Sequence, residues 1–248
     1  MPPVDQTAPP SGSGRRNLIL AAGAAVLVVA AIVVASLVFR GGDDEATETT
    51  GTGTTPGEIG EIGALFEGIP QDRAVLGSPD ATVTMIQFED LQCPVCKRYQ
   101  EEGLPGIVEE YVQPGKVKLR FAGLAFIGPD SEKALLHVIA AGAQGKLWQY
   151  ADELYANQGA ENSGWVTDAL LKRVAGDLGL DFAKLQKDAD SKAVLDQANA
   201  MATEASERQV PGTPWFYVQI GDGEPYEVRP SSFAVEEFRQ ILDDALSG

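Results

Sequence analysis

The chain has 248 residues and 44% hydrophobic content, ample for a core of its own, so it is not a small scaffold that depends on cross-links. Its 36 acidic residues against 19 basic ones give a formal net charge of -17. That balance excludes a nucleic-acid binder, because phosphate contacts need clustered Lys and Arg.

The first 14 residues, MPPVDQTAPPSGSG, are too rich in Pro, Gly and Ser to bury a core, and residues 1–17 read as a disordered cytoplasmic tail. Leu18 to Phe39 then read LILAAGAAVLVVAAIVVASLVF, an uncharged run long enough to cross a bilayer at about 1.5 Å per residue. Residues 18–39 are therefore expected to form a single transmembrane helix. A cleaved export signal would have a shorter apolar stretch and a small-x-small site after it, and Ser36-Leu37-Val38-Phe39-Arg40 offers no good one; cleavage would leave the topology unchanged. Arg15 and Arg16 precede the span whereas Asp43, Asp44 and Glu45 follow it, so the N-terminus is expected in the cytoplasm and the body of the protein outside. The same two arginines also fit a twin-arginine export signal, although such pairs are common as plain topology signals. Residues 40–60, containing GGDDEATETTGTGTTPGE, read as a flexible tether with a reach on the order of 25 Å.

Folding signals begin near residue 61. ATVTMIQFED, from Ala81, is β-branched and apolar and is bounded by Gly77-Ser78-Pro79-Asp80, which predicts a buried strand. Cys93-Pro94-Val95-Cys96 follows directly. From Pro94 the pattern turns helical, with Cys96, Tyr99, Ile107 and Tyr111 on one face and a break expected at Gly103 and Pro105. Lys116 to Phe121 alternates charged and apolar residues, predicting a half-buried strand and closing a βαβ unit. From Ser131 to about Arg208 every segment reads as helix. Pro214 to Ile220 and Tyr226 to Arg229 read as strands around a Gly221-Asp222-Gly223 turn, with Ser231 or Ser232 as the cap of a last helix reaching Leu246.

Both cysteines of the chain lie in CPVC, and three readings of them compete. Zinc would need two or more carboxylates beside Cys93, Cys96 and the lone His137, so no metal site is expected. A structural disulfide closing a loop of two intervening residues would restrict the unfolded chain very little. The redox reading has a direct cause: a cysteine at a helix N-terminus meets unpaired N–H groups and the positive end of the dipole, which stabilise a thiolate. Cys93 is that residue, Pro94 suits the first helical position, and Cys96, one turn on and facing inward, should be more buried and less ionised. Cys93 would then attack or be attacked, and Cys96 would resolve the mixed disulfide. Far away in sequence, Val210-Pro-Gly-Thr-Pro214 opens a strand, and a cis Thr213-Pro214 bond there would leave Thr213 with backbone groups free to pair with an extended peptide.

These residues resemble the DsbA-like thiol–disulfide oxidoreductases of the thioredoxin superfamily, in particular the membrane-anchored Gram-positive and actinobacterial forms. The resemblance is carried by IPQDRAVLGSPDATVTMIQFEDLQCPVC (69–96), GAQGKLWQYADELYANQ (142–158) and VPGTPWFYV (210–218), and it spans nearly all of residues 66–248. It implies an α/β thioredoxin fold (βαβ–ββα) over residues 61–248, with an inserted α-helical domain at about 129–208, preceded by one transmembrane helix. It also implies a nucleophilic Cys93, a resolving Cys96, a cis Pro214, reduced exported proteins as substrates, and a quinone-linked integral membrane oxidase as partner. No cofactor is expected. Many relatives carry a buried glutamate six residues before the first cysteine, where this chain has Gln87; Glu89 and Asp90 lie closer, so Gln87 and Glu89 are the candidates for proton handling. Val95 adds no donor or charge between the cysteines, which implies a milder oxidant than members with histidine there.

The same motifs suit a reductase of exported thiols, and a thioredoxin-like binding module with a static disulfide would share them too. His137, in Leu135-Leu136-His137-Val138-Ile139, reads as a packed residue rather than a base. Trp148, Tyr150 and Tyr155 at helical spacing read as core, and Lys97 and Arg98 as solvated.

Overall fold

The computed structural model describes residues 61–248 of the chain; the apolar run at 18–39 and the tether lie outside the described residues. Among the described residues no helix is long and apolar enough to cross a membrane.

The centre of the fold is β3 (Val83–Asp90), buried along its whole length, as its unbroken run of β-branched, aromatic and other large side chains dictates. It lies between parallel β4 (Val117–Leu124) and antiparallel β5 (Trp215–Ile220). A short outer strand, β6 (Tyr226–Val228), pairs with β5. The other edge is a hairpin the sequence reading did not anticipate, β1 (Gln71–Asp72) and β2 (Val75–Leu76), of which β2 pairs antiparallel with β4. Two-residue strands carry no alternation to read; Arg73, at φ 51, turns the hairpin. The sheet order is β1-β2-β4-β3-β5-β6.

β4 opens with the expected alternation at Val117, Lys118, Leu119 and Arg120, but it runs to Leu124 and is buried from Phe121 onward because helices cover both of its faces there. A short helix, α1 (Glu61–Leu65), precedes the sheet. The helix after β3 divides as its glycine and proline foretell: α2 (Pro94–Glu102), then α3 (Leu104–Ile107), then a π-helical turn at Val108–Val112. Gly103 is required at the break, since a Cβ there would stand 2.8 Å from the carbonyl oxygen of Phe233. Tyr99, fully buried, packs its ring against Phe216, Phe233 and Phe238, tying α2 to β5 and to α9 (Val235–Ser247).

Between β4 and β5 run α4 (Pro129–Gly142), α5 (Leu147–Ala156), α6 (Asp168–Asp177), α7 (Phe182–Ala189) and α8 (Lys192–Glu207). The last three start on Thr167, Asp181 and Ser191, whose side chains accept from the N–H three residues on. α9 departs from the expected capping. It starts at Val235 after Ala234, with no side-chain cap; the Ser232 hydroxyl accepts from the Ala234 N–H, and the Ser231 N–H donates to the Glu237 carboxylate. The serines form the turn before the helix because the Phe233 ring between them and α9 is committed to Tyr99.

Candidate active site

The site grows from the end of β3. Cys93 is the N-cap of α2, in extended conformation, with Pro94 in the first turn of the helix. Its N–H donates to the Asp90 carbonyl at 2.9 Å, and its own carbonyl accepts from Lys97 N–H at 3.1 Å. Cys96 is fully buried, whereas Cys93 keeps 7% of its surface. Both are free thiols in this structure. The Thr213–Pro214 peptide bond is cis, and the Thr213 carbonyl oxygen lies 3.4 Å from Cys93 Sγ.

The two sulfurs are electrostatically unlike. The Cys96 thiol donates to Cys93, and together with the Thr213 hydroxyl and the N–H groups of Cys96 and Val95 it holds the Cys93 thiol down to about 6 against the opposing cost of burial. Thr213 acts in two directions: its hydroxyl supports the anion, while its carbonyl accepts only when the sulfur carries its proton. Cys96 is pushed well above the ordinary thiol value by burial, by the hydrogen bond it gives to Cys93, and by the nearby charges of Glu89 and Cys93.

Glu89 and Gln87 lie two residues apart on β3, and both are fully buried. Glu89 Oε2 accepts from Gln100 Nε2 at 2.7 Å and from the Tyr155 hydroxyl at 2.9 Å, while Oε1 has no partner among the described residues. Burial outweighs those two hydrogen bonds and lifts the carboxyl to about 7, with the Cys93 charge adding to the rise. The Gln87 amide has neither its oxygen nor its nitrogen paired among the described residues, and an amide takes up no proton near neutral pH.

Asp90 and Gln92 bind the reactive turn to the helical layer. Asp90 accepts from Gln92 N and Ser131 Oγ on one oxygen and from Phe126 N and Ile127 N on the other. Gln92 Nε2 donates to Ser131 Oγ at 2.9 Å and to Asn162 Oδ1 at 3.3 Å, and Gln92 Oε1 accepts from Asn162 N at 2.6 Å. Gln158 Nε2 donates to the carbonyls of Leu91 and Cys93. The sequence reading missed all of these partners. Only the short polar spacing of Asp90, Gln92 and Cys93 hinted that the turn needed help, since buried backbone groups there must be satisfied.

Val95 is 36% exposed and, with Thr213, Pro214, Trp215 and Phe233, lines a groove of about 470 Å³ beside Cys93. The remaining candidates fall where their bland readings put them. His137 is packed in α4 with Nδ1 2.8 Å from the Lys133 carbonyl, and burial lowers its proton affinity. Trp148, Tyr150 and Tyr155 are core residues, although the Tyr155 hydroxyl reaches the site. Lys97 faces Glu101 at 3.8 Å, and the Arg98 guanidinium lies over the Phe233 ring. No three His, Cys, Asp or Glu side chains converge as a metal site among the described residues.

A βαβ–ββα sheet with an N-capping CPVC cysteine opposite a cis-proline loop, split by a helical layer, defines a thioredoxin-type dithiol couple. The family model described as Thioredoxin matches residues 70–244. "Probable disulfide bond formation protein D" of Bacillus anthracis is 33% identical over 147 residues, covering 58% of this chain and 68% of that protein. Disulfide bond formation protein D of Bacillus subtilis is 28% identical over 153 residues, covering 59% and 67%. The crystal structure of oxidised BdbD from Bacillus subtilis superposes with a TM-score of 0.62 at 25% identity, covering 73% of this chain and 97% of that one. The chain belongs to the thioredoxin superfamily, as a DsbA-like thiol–disulfide oxidoreductase.

Proposed function

We propose that residues 18–39 anchor the chain in the cell membrane with residues 61–248 outside, and that it donates a Cys93–Cys96 disulfide to exported proteins as they fold. The observation that carries the oxidising direction is the inequality of the two sulfurs. A Cys93 thiolate held to about 6 is a good leaving group and stabilises the reduced enzyme, which makes the disulfide ready to be passed on. The names of the Bacillus relatives support the same direction.

In transfer, a substrate thiolate, extended beside the Thr213 backbone, attacks Cys93 Sγ. The Cys93–Cys96 bond breaks, and Cys96 leaves with the electron pair and takes a proton. Glu89, about half protonated near neutral pH, supplies it. A second substrate thiolate then attacks the substrate sulfur of the mixed disulfide and expels Cys93 as thiolate, leaving substrate oxidised and enzyme reduced by two electrons. Reoxidation runs the same steps backward: Cys93 attacks a disulfide of an integral membrane thiol oxidase linked to quinone, Cys96 returns its proton to Glu89, and the Cys93–Cys96 bond closes. Gln87, lacking a titratable proton, takes no part in this transfer. Pro94 and Val95 present the N–H end of α2 to the sulfur without adding a charge.

The deciding experiment equilibrates the full-length chain with glutathione redox buffers. A potential above roughly -200 mV supports the oxidase, whereas a value near or below about -270 mV turns the assignment to a reductase of exported thiols. A folded pair that does not exchange at all would leave a binding module with a static disulfide.

A further inference from the structure

Tyr155 belongs to α5, in the helical layer, yet its hydroxyl meets a carboxyl of the sheet: it donates to Glu89 Oε2 at 2.9 Å and is shared with the Asp90 carbonyl at 3.3 Å. Gln100, from α2, donates to the same Glu89 oxygen at 2.7 Å. We propose that Tyr155, together with Gln100, is a positioning residue for proton exchange with Cys96, confining the transferable proton to Glu89 Oε1 and keeping the carboxylate available to take it back. The inference rests on the reading of Glu89 as the proton partner of Cys96.

A carboxylate oxygen offers two lone pairs, and on Oε2 Gln100 and Tyr155 take both. An amide nitrogen accepts nothing, so a proton arriving on Oε2 would face the Gln100 N–H and break one of the two bonds. Oε1, buried and without a partner among the described residues, takes the proton with no such loss. Tyr155 keeps its role through the whole cycle because it does not ionise: burial first, then the charges of Glu89 and Cys96, hold its phenol well above the ordinary value. The Asp90 carbonyl gives the hydroxyl a second acceptor when Oε2 becomes the weaker oxygen of a neutral carboxyl.

The surroundings leave this work to the two donors. The titratable groups around Glu89 are Cys93, Cys96 and the Tyr99 phenol from α2, Tyr155 from α5, and Asp90 beside it on β3, whose carboxylate is already taken by four donors. Each of these is neutral or negative, and no Lys or Arg pairs with Glu89 among the described residues. Neutral hydrogen bonds therefore keep a fully buried carboxyl within reach of the working pH instead of permanently protonated.

The test follows the Glu89 carboxyl directly, by the carbon-13 resonance of labelled glutamate in the reduced full-length chain in detergent, assigned by its loss in Glu89→Gln. Tyr155→Phe keeps the buried ring and removes only the hydroxyl, so the midpoint should rise from about 7 by about one pH unit. Oxidised glutathione then forms a mixed disulfide on Cys93, and its closure requires Cys96 to give its proton to Glu89. That closure should slow about fivefold at pH 7 and differ from the parent by less than about twofold at pH 8. Gln100→Leu, on a different element, should move both readouts the same way, and it decides the matter if Tyr155→Phe does not fold. A midpoint unmoved in both variants overturns the proposal, as does a loss of rate that is equal at every pH, the mark of a merely structural role. If Glu89→Gln closes as fast as the parent, Glu89 is not the proton partner of Cys96, and the proposal falls with that reading whatever the titration shows.

Discussion

Cys93 Sγ lies 3.4 Å from the carbonyl oxygen of Thr213, a residue 120 positions further along the chain. This contact exists as a hydrogen bond only while Cys93 is protonated, since a thiolate has nothing to donate. When the sulfur ionises, Thr213 loses that bond and its backbone becomes available to an incoming strand.

Ionisation should be visible directly. In the reduced protein, thiolate absorbance should rise in one step with a midpoint near 6, be lost in Cys93→Ser, and show no Cys96 contribution below pH 9. Because the folded value is depressed, the stabilisation this thiolate gives the reduced fold is fully present above the ordinary thiol value and disappears as pH falls through about 6. Cys96→Ala removes the leading cause and should move the midpoint up; a midpoint unchanged by that substitution contradicts the assignment of cause.

Cys93→Ser should abolish disulfide transfer to a reduced, unfolded protein, and Cys96→Ser, which has no disulfide to donate, should accumulate mixed disulfides when its Cys93 thiolate attacks a disulfide-bearing protein, and these should resolve only with added thiol. Non-reducing electrophoresis after acid quenching separates these outcomes. Full activity in both variants would rule out the two-cysteine mechanism.

Glu89→Gln tests proton handling with opposite effects on rate and stability. Breakdown of the mixed disulfide should slow about 10²-fold and lose its pH dependence near 7. The parent's raised carboxyl binds its proton more tightly folded than unfolded, so parent stability falls as pH rises from 4.5 to about 7, a climb worth about 3 kcal/mol. Urea denaturation should therefore show the variant gaining on the parent across that interval. Parallel stability profiles would remove Glu89 from the role.

Asp90→Ala should cost about 3 kcal/mol or more, because it strands four buried or half-buried donors from Gln92, Phe126, Ile127 and Ser131. Thermal denaturation measures the loss. A change under 1 kcal/mol would mean that the loop after β4 finds other partners.

The sequence made the reactive pair legible because its chemistry is local: strand, CPVC and helix follow one another, and Pro94 marks the helix start. β3 was equally plain, since its Val83, Met85, Ile86 and Phe88 lie between turn residues, although its buried Gln87, Glu89 and Asp90 carry no apolar signal. Tyr155 shows where that kind of reading stops. Helical periodicity assigns its ring to the core, correctly, but says nothing of where a hydroxyl at the far end of the ring arrives, and here it arrives at Glu89. Gln100, Asn162 and Gln158 were invisible for the same reason, being ordinary polar residues until the fold brings them 11, 70 and 65 positions or more across the chain. The turn serines before α9 misled because capping signals are common and the Phe233 ring, a tertiary constraint, decides where the helix begins.

The long separation of Cys93 from Thr213 also sets a clock on biosynthesis. At about 5–20 residues per second, the 120 residues between them take on the order of ten seconds to emerge from the ribosome. For that time the nascent chain carries both cysteines with no cis-proline loop opposite them and no helical layer closed over the turn. An enzyme that handles other proteins' thiols thus begins its own existence as an unguarded dithiol, open to the same chemistry it will later perform.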